Sequence, residues 1–204
     1  MMIDPNGHDR FVLRQKLTLT INRYVFSIPD GASDGEPFCF VEQKRFKFKE
    51  DIGFFADQTK TQQLMRILAR QRFDPKARYD ITTAAGAPIG QIQKVFGASI
   101  FRSTYAVFTP DGQEICRATE KSLPIALFRR GVELVPYLGS WSDFLPIPYD
   151  FVFIRDGQVI ATNRRRRWKL SDIYDIDASA DTERALDRRM LLATTVGMDA
   201  LQAR

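Results

Sequence analysis

Hydrophobic and polar residues alternate along most of this chain with the period of two that belongs to half-buried strands. From Phe11 to Ile28 the apolar positions Val12, Leu17, Leu19, Ile21, Tyr24 and Phe26 predict a first pair of strands, and Pro29-Asp30-Gly31 marks the turn that follows them. After the Ser-, Asp- and Gly-rich loop from Ala32 to Pro37, Phe38 and Phe40, then Phe46 and Phe48, resume the alternation. Lys47 and Lys49 interleave with the last two rings, so a strand there buries rings on one face and shows ammonium groups on the other. Between Thr59 and Arg72 the residues Leu64, Met65, Ile67 and Leu68 fit either one side of a helix or a strand buried on both faces, and the strand is favoured.

Three hairpins are better marked. Arg78 to Thr83 and Pro88 to Val95 flank a tight Ala85-Gly86 turn. Phe101 to Phe108 and Glu114 to Glu120 are joined through Pro110-Asp111-Gly112, where the fixed φ of proline and the permissive glycine specify a reversal. Arg155-Asp156-Gly157 joins Phe151-Val152-Phe153-Ile154 to a strand from Val159 through Thr162, and a last strand runs from near Trp168 to Ile176. Leu123 to Tyr149, with four prolines and two glycines, reads as a short helix and a long crossing loop of the kind that often carries function.

The end of the chain changes the pattern. Asp187 to Leu201 is apolar on nearly every helical face, and a helix without a wet side must be enclosed. The helix is expected over about 182–202, with Asp181 as N-cap, Glu183 in the positive first turn and Arg204 at the negative pole. Ten to twelve antiparallel strands and one greasy helix predict a mainly β fold: a closed barrel of about twelve strands, whose closure removes exposed edges, around a central C-terminal α-helix. A sandwich would leave that helix unhoused. Residues 1–10 are expected to be a flexible N-terminus and 11–204 a single barrel domain. Asp199 is expected where the helix emerges at the rim, reaching water or a cation.

Composition supports one core. At 204 residues the chain has the size of a large all-β barrel, and its sixteen Phe, six Tyr and two Trp favour pleated surfaces. Hydrophobic residues at 44% and charged residues at 27% argue against disorder, collagen and a polytopic membrane protein. Cys39 and Cys116 lie far apart in strand-like contexts without CxxC spacing, and are expected reduced and buried. Met1 to Arg10 has no signal-peptide pattern, so a cytoplasmic protein is expected. The run from Met190 to Leu201 would rise only about 18 Å as a helix, against roughly 30 Å of bilayer hydrocarbon, and cannot span a membrane alone.

Ala77-Arg78-Tyr79-Asp80-Ile81-Thr82, Gly86-Ala87-Pro88-Ile89-Gly90, Phe101-Arg102-Ser103-Thr104-Tyr105-Ala106-Val107 and Asp111-Gly112-Gln113-Glu114-Ile115 resemble the LURP-one-related and phospholipid-scramblase group of the tubby C-terminal-like superfamily. The resemblance covers about Phe11 to Leu201. It implies a twelve-stranded barrel wrapped around a hydrophobic helix, the architecture that periodicity predicts independently. The tubby branch binds phosphoinositide head groups through surface cations, so the resemblance also implies a lipid role by analogy. The cysteine cluster that scramblases carry for acylation has no counterpart in Cys39 and Cys116.

Candidate chemistry is cationic. Arg164, Arg165, Arg166 and Arg167, followed by Trp168 and Lys169, form the sharpest local charge; each guanidinium offers planar donors suited to phosphate, and the indole suits a lipid interface. Lys44, Arg45, Lys47 and Lys49 add to them if the barrel brings the two segments together. The alternative is a solvated turn at the barrel mouth balanced by Asp172, Asp175 and Asp177. Those three carboxylates are also a weak calcium candidate, by analogy with the scramblase segment before the helix, although the positions that a helix-loop-helix calcium site fills with Gly and Glu hold Ala180 and Leu186 here. The single histidine, His8, has no nucleophile to activate, and Gly86 to Gly90 sits inside a hairpin instead of between strand and helix, so neither an enzyme nor a cofactor is expected. A net charge of +5 is too mild for the dense phosphate neutralisation of nucleic-acid binding. The expected partner is an anionic membrane surface or a phosphoinositide-like ligand, with peripheral membrane residence. A protein scaffold meeting its partner through 123–149, with Trp141 and Phe144 as contacts, is the alternative.

Overall fold

The computed structural model describes residues 3–16, 21–44, 51–69, 78–95, 104–120, 150–166 and 172–202. Twelve strands follow one another: β1 Arg10–Lys16, β2 Ile21–Ser27, β3 Pro37–Lys44, β4 Asp51–Phe55, β5 Gln63–Ala69, β6 Arg78–Thr83, β7 Pro88–Val95, β8 Thr104–Phe108, β9 Glu114–Glu120, β10 Phe151–Arg155, β11 Gln158–Arg165 and β12 Asp172–Asp177. Each pairs antiparallel with its chain neighbours, and β12 returns to β1, so the sheet closes. Leu13 on β1 lies opposite Phe26 on β2 and Tyr174 on β12. Closure spends every edge on a partner.

The expected hairpins stand where turn chemistry puts them. Between β10 and β11, Asp156 and Gly157 both take positive φ (50° and 78°), the two-residue reversal whose twist suits a hairpin. The ambiguous segment at β5 is a strand, with Met65 and Ile67 buried. β4 is the strand that the periodicity did not announce, being five residues long with Gly53 at its centre. Phe46, Phe48 and the irregular 123–149 segment lie outside the described residues.

The bore is filled by α1, Arg188–Gln202, with Met190, Leu191, Leu192, Ala193, Val196 and Met198 entirely without solvent contact. Burying a Leu or Met side chain contributes about 1.5–3 kcal/mol. The wall meets these residues with Phe26, Phe54, Ile67, Ile81, Ile92, Val107 and Phe153. Against β7 the approach is closest: a Cβ on Gly90 would lie 2.6 Å from the Phe108 carbonyl oxygen and 2.7 Å from Met190 Sδ. Only glycine leaves the helix that room.

The helix starts later than expected. Asp181 accepts from the amides of Ala185 and Leu186 at 3.0 Å each, closing a loop, and Arg184 then turns left-handed at φ 52°, which a right-handed helix cannot contain. Asp187 is the cap in its place, taking the Arg189 amide at 2.8 Å on its side chain and the Leu191 amide at 3.1 Å on its carbonyl. Glu183 consequently lies outside the first turn.

Arg188 anchors the helix. Its guanidinium is 1% exposed and donates all five of its hydrogens: Nε and Nη2 to Asp9 Oδ1 (3.2 and 2.7 Å), Nη1 to Asp181 Oδ2 and the Leu186 carbonyl (2.6 and 2.7 Å), and Nη2 to the Ala178 carbonyl (3.3 Å). Residues 3–9 therefore differ from the free arm expected of the N-terminus. Asn6, in a 3-10 turn Pro5–Gly7, accepts the Arg188 amide at 2.8 Å, and Arg184 reaches both Asp9 and the Asn6 carbonyl.

Two substitutions check this packing by urea unfolding. Asp181→Ala strands a buried guanidinium and is expected to cost about 3–5 kcal/mol. Gly90→Val overfills the contact between β7 and α1 and is expected to cost about 1–3 kcal/mol.

Candidate functional site

Strand parity gives the barrel two unlike rims. One collects the connections β1–β2, β3–β4, β5–β6, β7–β8, β9–β10 and β11–β12, and α1 points its C-terminus towards it. The segments 17–20, 45–50, 70–77, 96–103, 121–149 and 167–171 that make these connections hold twelve Lys and Arg against four Asp and Glu. The opposite rim collects residues 3–9, 28–36, 56–62, 84–87, 109–113, 156–157 and 178–187, with two Lys and Arg against eleven Asp and Glu. The two sets of connections nearly cancel, and the chain's net charge of +5 shows neither.

Both cationic segments singled out above connect strands that end at this rim. The strand pairs β3–β4 and β11–β12 stand four positions apart on a twelve-strand ring, one third of its circumference, or roughly 20 Å at the usual strand spacing. Lys44 ends β3 opposite Ile21, with its side chain outside the described residues. Arg45, Lys47, Lys49, Arg167 and Trp168 also lie outside them, as does the proposed contact segment 123–149.

The described arginines at the end of β11 and just beyond it have three different surroundings. Arg164 is exposed on the outer face, opposite Asp175 in the ladder. Arg165 shares the face of its buried partner Tyr174 and so points inward, half-buried, while its amide donates to Asp150 at 2.9 Å. Arg166 is enclosed by carboxylates: Nε meets both Asp175 oxygens at 2.9 Å, Nη2 meets Asp175 Oδ1 at 2.6 Å, and Nη1 meets Asp34. Asp34 also takes Arg14 Nη2 at 2.7 Å. The hydrogen bond from Arg166, with that from Arg14, outweighs burial and holds the Asp34 carboxyl below the usual range. The Asp175 carboxylate, followed by Asp34, raises Arg166 further. Arg166 is a clamp between β11, β12 and the β2–β3 connection.

The acidic string before the helix is likewise engaged. Asp175 faces Arg166, and Asp177 accepts Ser179 N and Oγ (2.9 and 2.5 Å) and Arg10 Nε (3.3 Å). The Asp172 side chain lies outside the described residues. Among the described residues no three His, Cys, Asp or Glu side chains are grouped so as to hold a metal ion. Cys39 and Cys116 are free and buried; burial, aided by the charges of Asp181 and Glu114, pushes the Cys116 thiol up to about 12, far from a reactive thiolate. An outer groove of about 500 Å³ along β8, β9 and β10 has its charges paired, Arg117 with Glu114 at 2.7 Å and Arg155 with Glu183 at 3.1 Å.

Linear reading missed the rest of the basic rim. Arg70, Arg72, Lys76, Lys121, Arg129 and Arg130 belong to two further connections, scattered in sequence and assigned to one rim only by the parity of the strands. Counting reversals from one recognised rim segment would have found them.

The family model described as LURP-one-related matches residues 38–199, most of the chain, and the twelve-stranded closed barrel with its C-terminal helix agrees with the tubby-like placement. No curated protein matches. Among the described residues no helix is long and apolar enough to cross a membrane.

Two measurements test the clamp. Arg166→Gln leaves Asp34 and Asp175 short of their cation and is expected to lower stability by about 1 kcal/mol, whereas Arg164→Gln leaves it unchanged. Because the Asp34 and Asp9 carboxyls are held low in the folded state, the stability they contribute is present above their ordinary pKa and lost as pH falls through the lowered value. Unfolding followed below about pH 4 should show a steep acid loss that Asp34→Asn makes shallower; an unchanged slope would contradict the assignment.

Proposed function

The chain belongs to the LURP-one-related family, and from that membership and the charge of its basic rim we propose that it is a non-enzymatic barrel protein that docks end-on upon anionic phospholipid head groups. The observation that carries this reading is the segregation of twelve cations against four anions on the connections of one rim. Each Lys or Arg near an anionic bilayer contributes about 1 kcal/mol, so a handful of rim cations suffices for reversible binding. Guanidinium groups add paired hydrogen bonds to phosphate oxygens.

The residues that carry the docking are Lys44, Arg45, Lys47 and Lys49 on one side of the rim and Arg164 and Arg167 on the other, with Trp168 at the interfacial depth its amphipathic ring prefers. Arg166 is excluded from the contact set because its guanidinium is held by Asp175 and Asp34. Arg165 faces inward and serves the mouth of the barrel. Docking of this kind makes the protein peripheral at the cytoplasmic face, where acidic lipids concentrate.

Vesicle co-sedimentation tests the proposal. Binding to phosphatidylserine-containing vesicles, none to phosphatidylcholine alone, and loss of binding as salt rises from about 0.1 M to 1 M, where the screening length shrinks from about 10 to 3 Å, are expected. Replacing Lys44, Arg45, Lys47, Lys49, Arg164 and Arg167 with Ser should abolish it while the thermal unfolding curve stays in place. Free inositol phosphates that bind with no vesicle dependence would shift the ligand from membrane to soluble phosphate; equal binding to neutral vesicles would overturn the reading.

A further inference from the structure

The interior of the barrel is not uniformly apolar. Along four strands an inward position towards the basic rim is polar: Gln15 two residues after Leu13, Asn22 two before Tyr24, Glu120 two after Ala118, and Asn163 two after Ala161, each at most 6% exposed. The helix answers at the same end with Thr194 and Thr195, at 0% and 4% exposure. Burying such groups is costly unless each finds a partner. Several do: Asn22 Nδ2 and the Tyr24 hydroxyl both donate to Gln43 Oε1, at 3.2 and 3.4 Å.

Asn22 Oδ1, Thr194 Oγ1 and Asn163 Oδ1 are left over, and the last shares a cavity with an acceptor on the helix. Asn163 Oδ1 is buried and receives no hydrogen bond. Thr195 gives its only hydroxyl hydrogen to the Leu191 carbonyl at 2.9 Å, so its oxygen retains only acceptor capacity. Asn163 and Thr195 line a common cavity of about 10 Å³, whose walls also include Leu13, Gln15, Tyr24 and Phe151. These two acceptor oxygens cannot satisfy each other; a molecule with two hydrogens to give can satisfy both. The cavity is of the size that admits one water, which requires about 10–15 Å³ and two to four polar neighbours.

We propose that this cavity is a buried water site, in which one water donates to Asn163 Oδ1 and Thr195 Oγ1 and so fastens α1 to β11, with Gln15 and Tyr24 lining the rest of the cavity. The acidic end of α1 is tied directly through Arg188; the basic end is tied through solvent. The site stands independently of lipid docking, though it secures the strand that carries Arg164, Arg165 and Arg166. A bridging water makes hydrogen bonds nearly as good as direct ones, at the entropic cost of holding it.

Water-to-protein Overhauser spectroscopy on the intact folded chain reads this directly. A persistent cross-peak from water to both the Asn163 side-chain amide and the Thr195 methyl group is expected. Thr195→Val keeps the shape of the residue and should lose the water cross-peak at the Asn163 amide; Asn163→Leu should lose the one at the Thr195 methyl. A high-resolution crystal structure of the wild-type protein should hold one isolated water density between the two side chains. Absence of both cross-peak and density, an ion in place of water, or cross-peaks that persist in both folded variants would each overturn the site.

Discussion

Enclosure of α1 by the sheet, locked at one end by Arg188, is the constraint on which the rest of this structure depends. The helix has no face that water would accept, and a twelve-stranded ring has a bore that side chains of the wall alone would not fill. Each part therefore presupposes the other. The lock is ionic because the entrance must also gather chain segments that are distant in sequence: Asp9 from the N-terminal stretch, Asp181 from the loop after β12, and the helix itself. Arginine suits the position as lysine would not, since its planar fork delivers five hydrogens to two carboxylate groups and two carbonyls at fixed angles. Burial of that charge is tolerable only because every hydrogen is used.

From this lock the two ends of the barrel acquire different roles. The acidic rim carries the helix entrance, where Asp9, Asp181 and Asp187 are committed to Arg188, Arg184 and Arg189. The other rim collects six connections that together carry twelve cations, on a scaffold held from behind. A rigid frame that presents variable loops at one end is the usual way for recognition to be placed on a β-fold. The interior follows the same axis, apolar around Met190 and Leu191 and polar around Thr194 and Thr195.

Much of the architecture was legible because its signals are local. The hairpins β6–β7, β8–β9 and β10–β11 announce themselves through alternation and through turn residues, of which Asp156-Gly157 is the clearest. What failed was set by contacts across the chain. Asp181 looks like a helix cap and does bond two amides ahead of it, but the loop it closes ends in the left-handed Arg184, and the cap passes to Asp187. β4 was hidden by its brevity and by Gly53, a residue that strand propensity disfavours. The four-arginine run showed its alternation but not its partners; Arg166 is bound to Asp34, 132 residues away in sequence, and no spacing rule reaches that far.

The same limitation explains why the overall charge understates the rim. An exposed charge acts on a surface only within about one screening length, near 8–10 Å at physiological salt. A fifteen-residue helix such as α1 is about 22 Å long, so the acidic rim at its start lies more than two screening lengths behind the basic rim at its end. A bilayer met end-on therefore senses the cations of the near rim and hardly any of the acids of the far one. Summation over the sequence cancels the two; the barrel keeps them apart. Strand direction decides which charges count together, and it does so before any side chain chooses a rotamer.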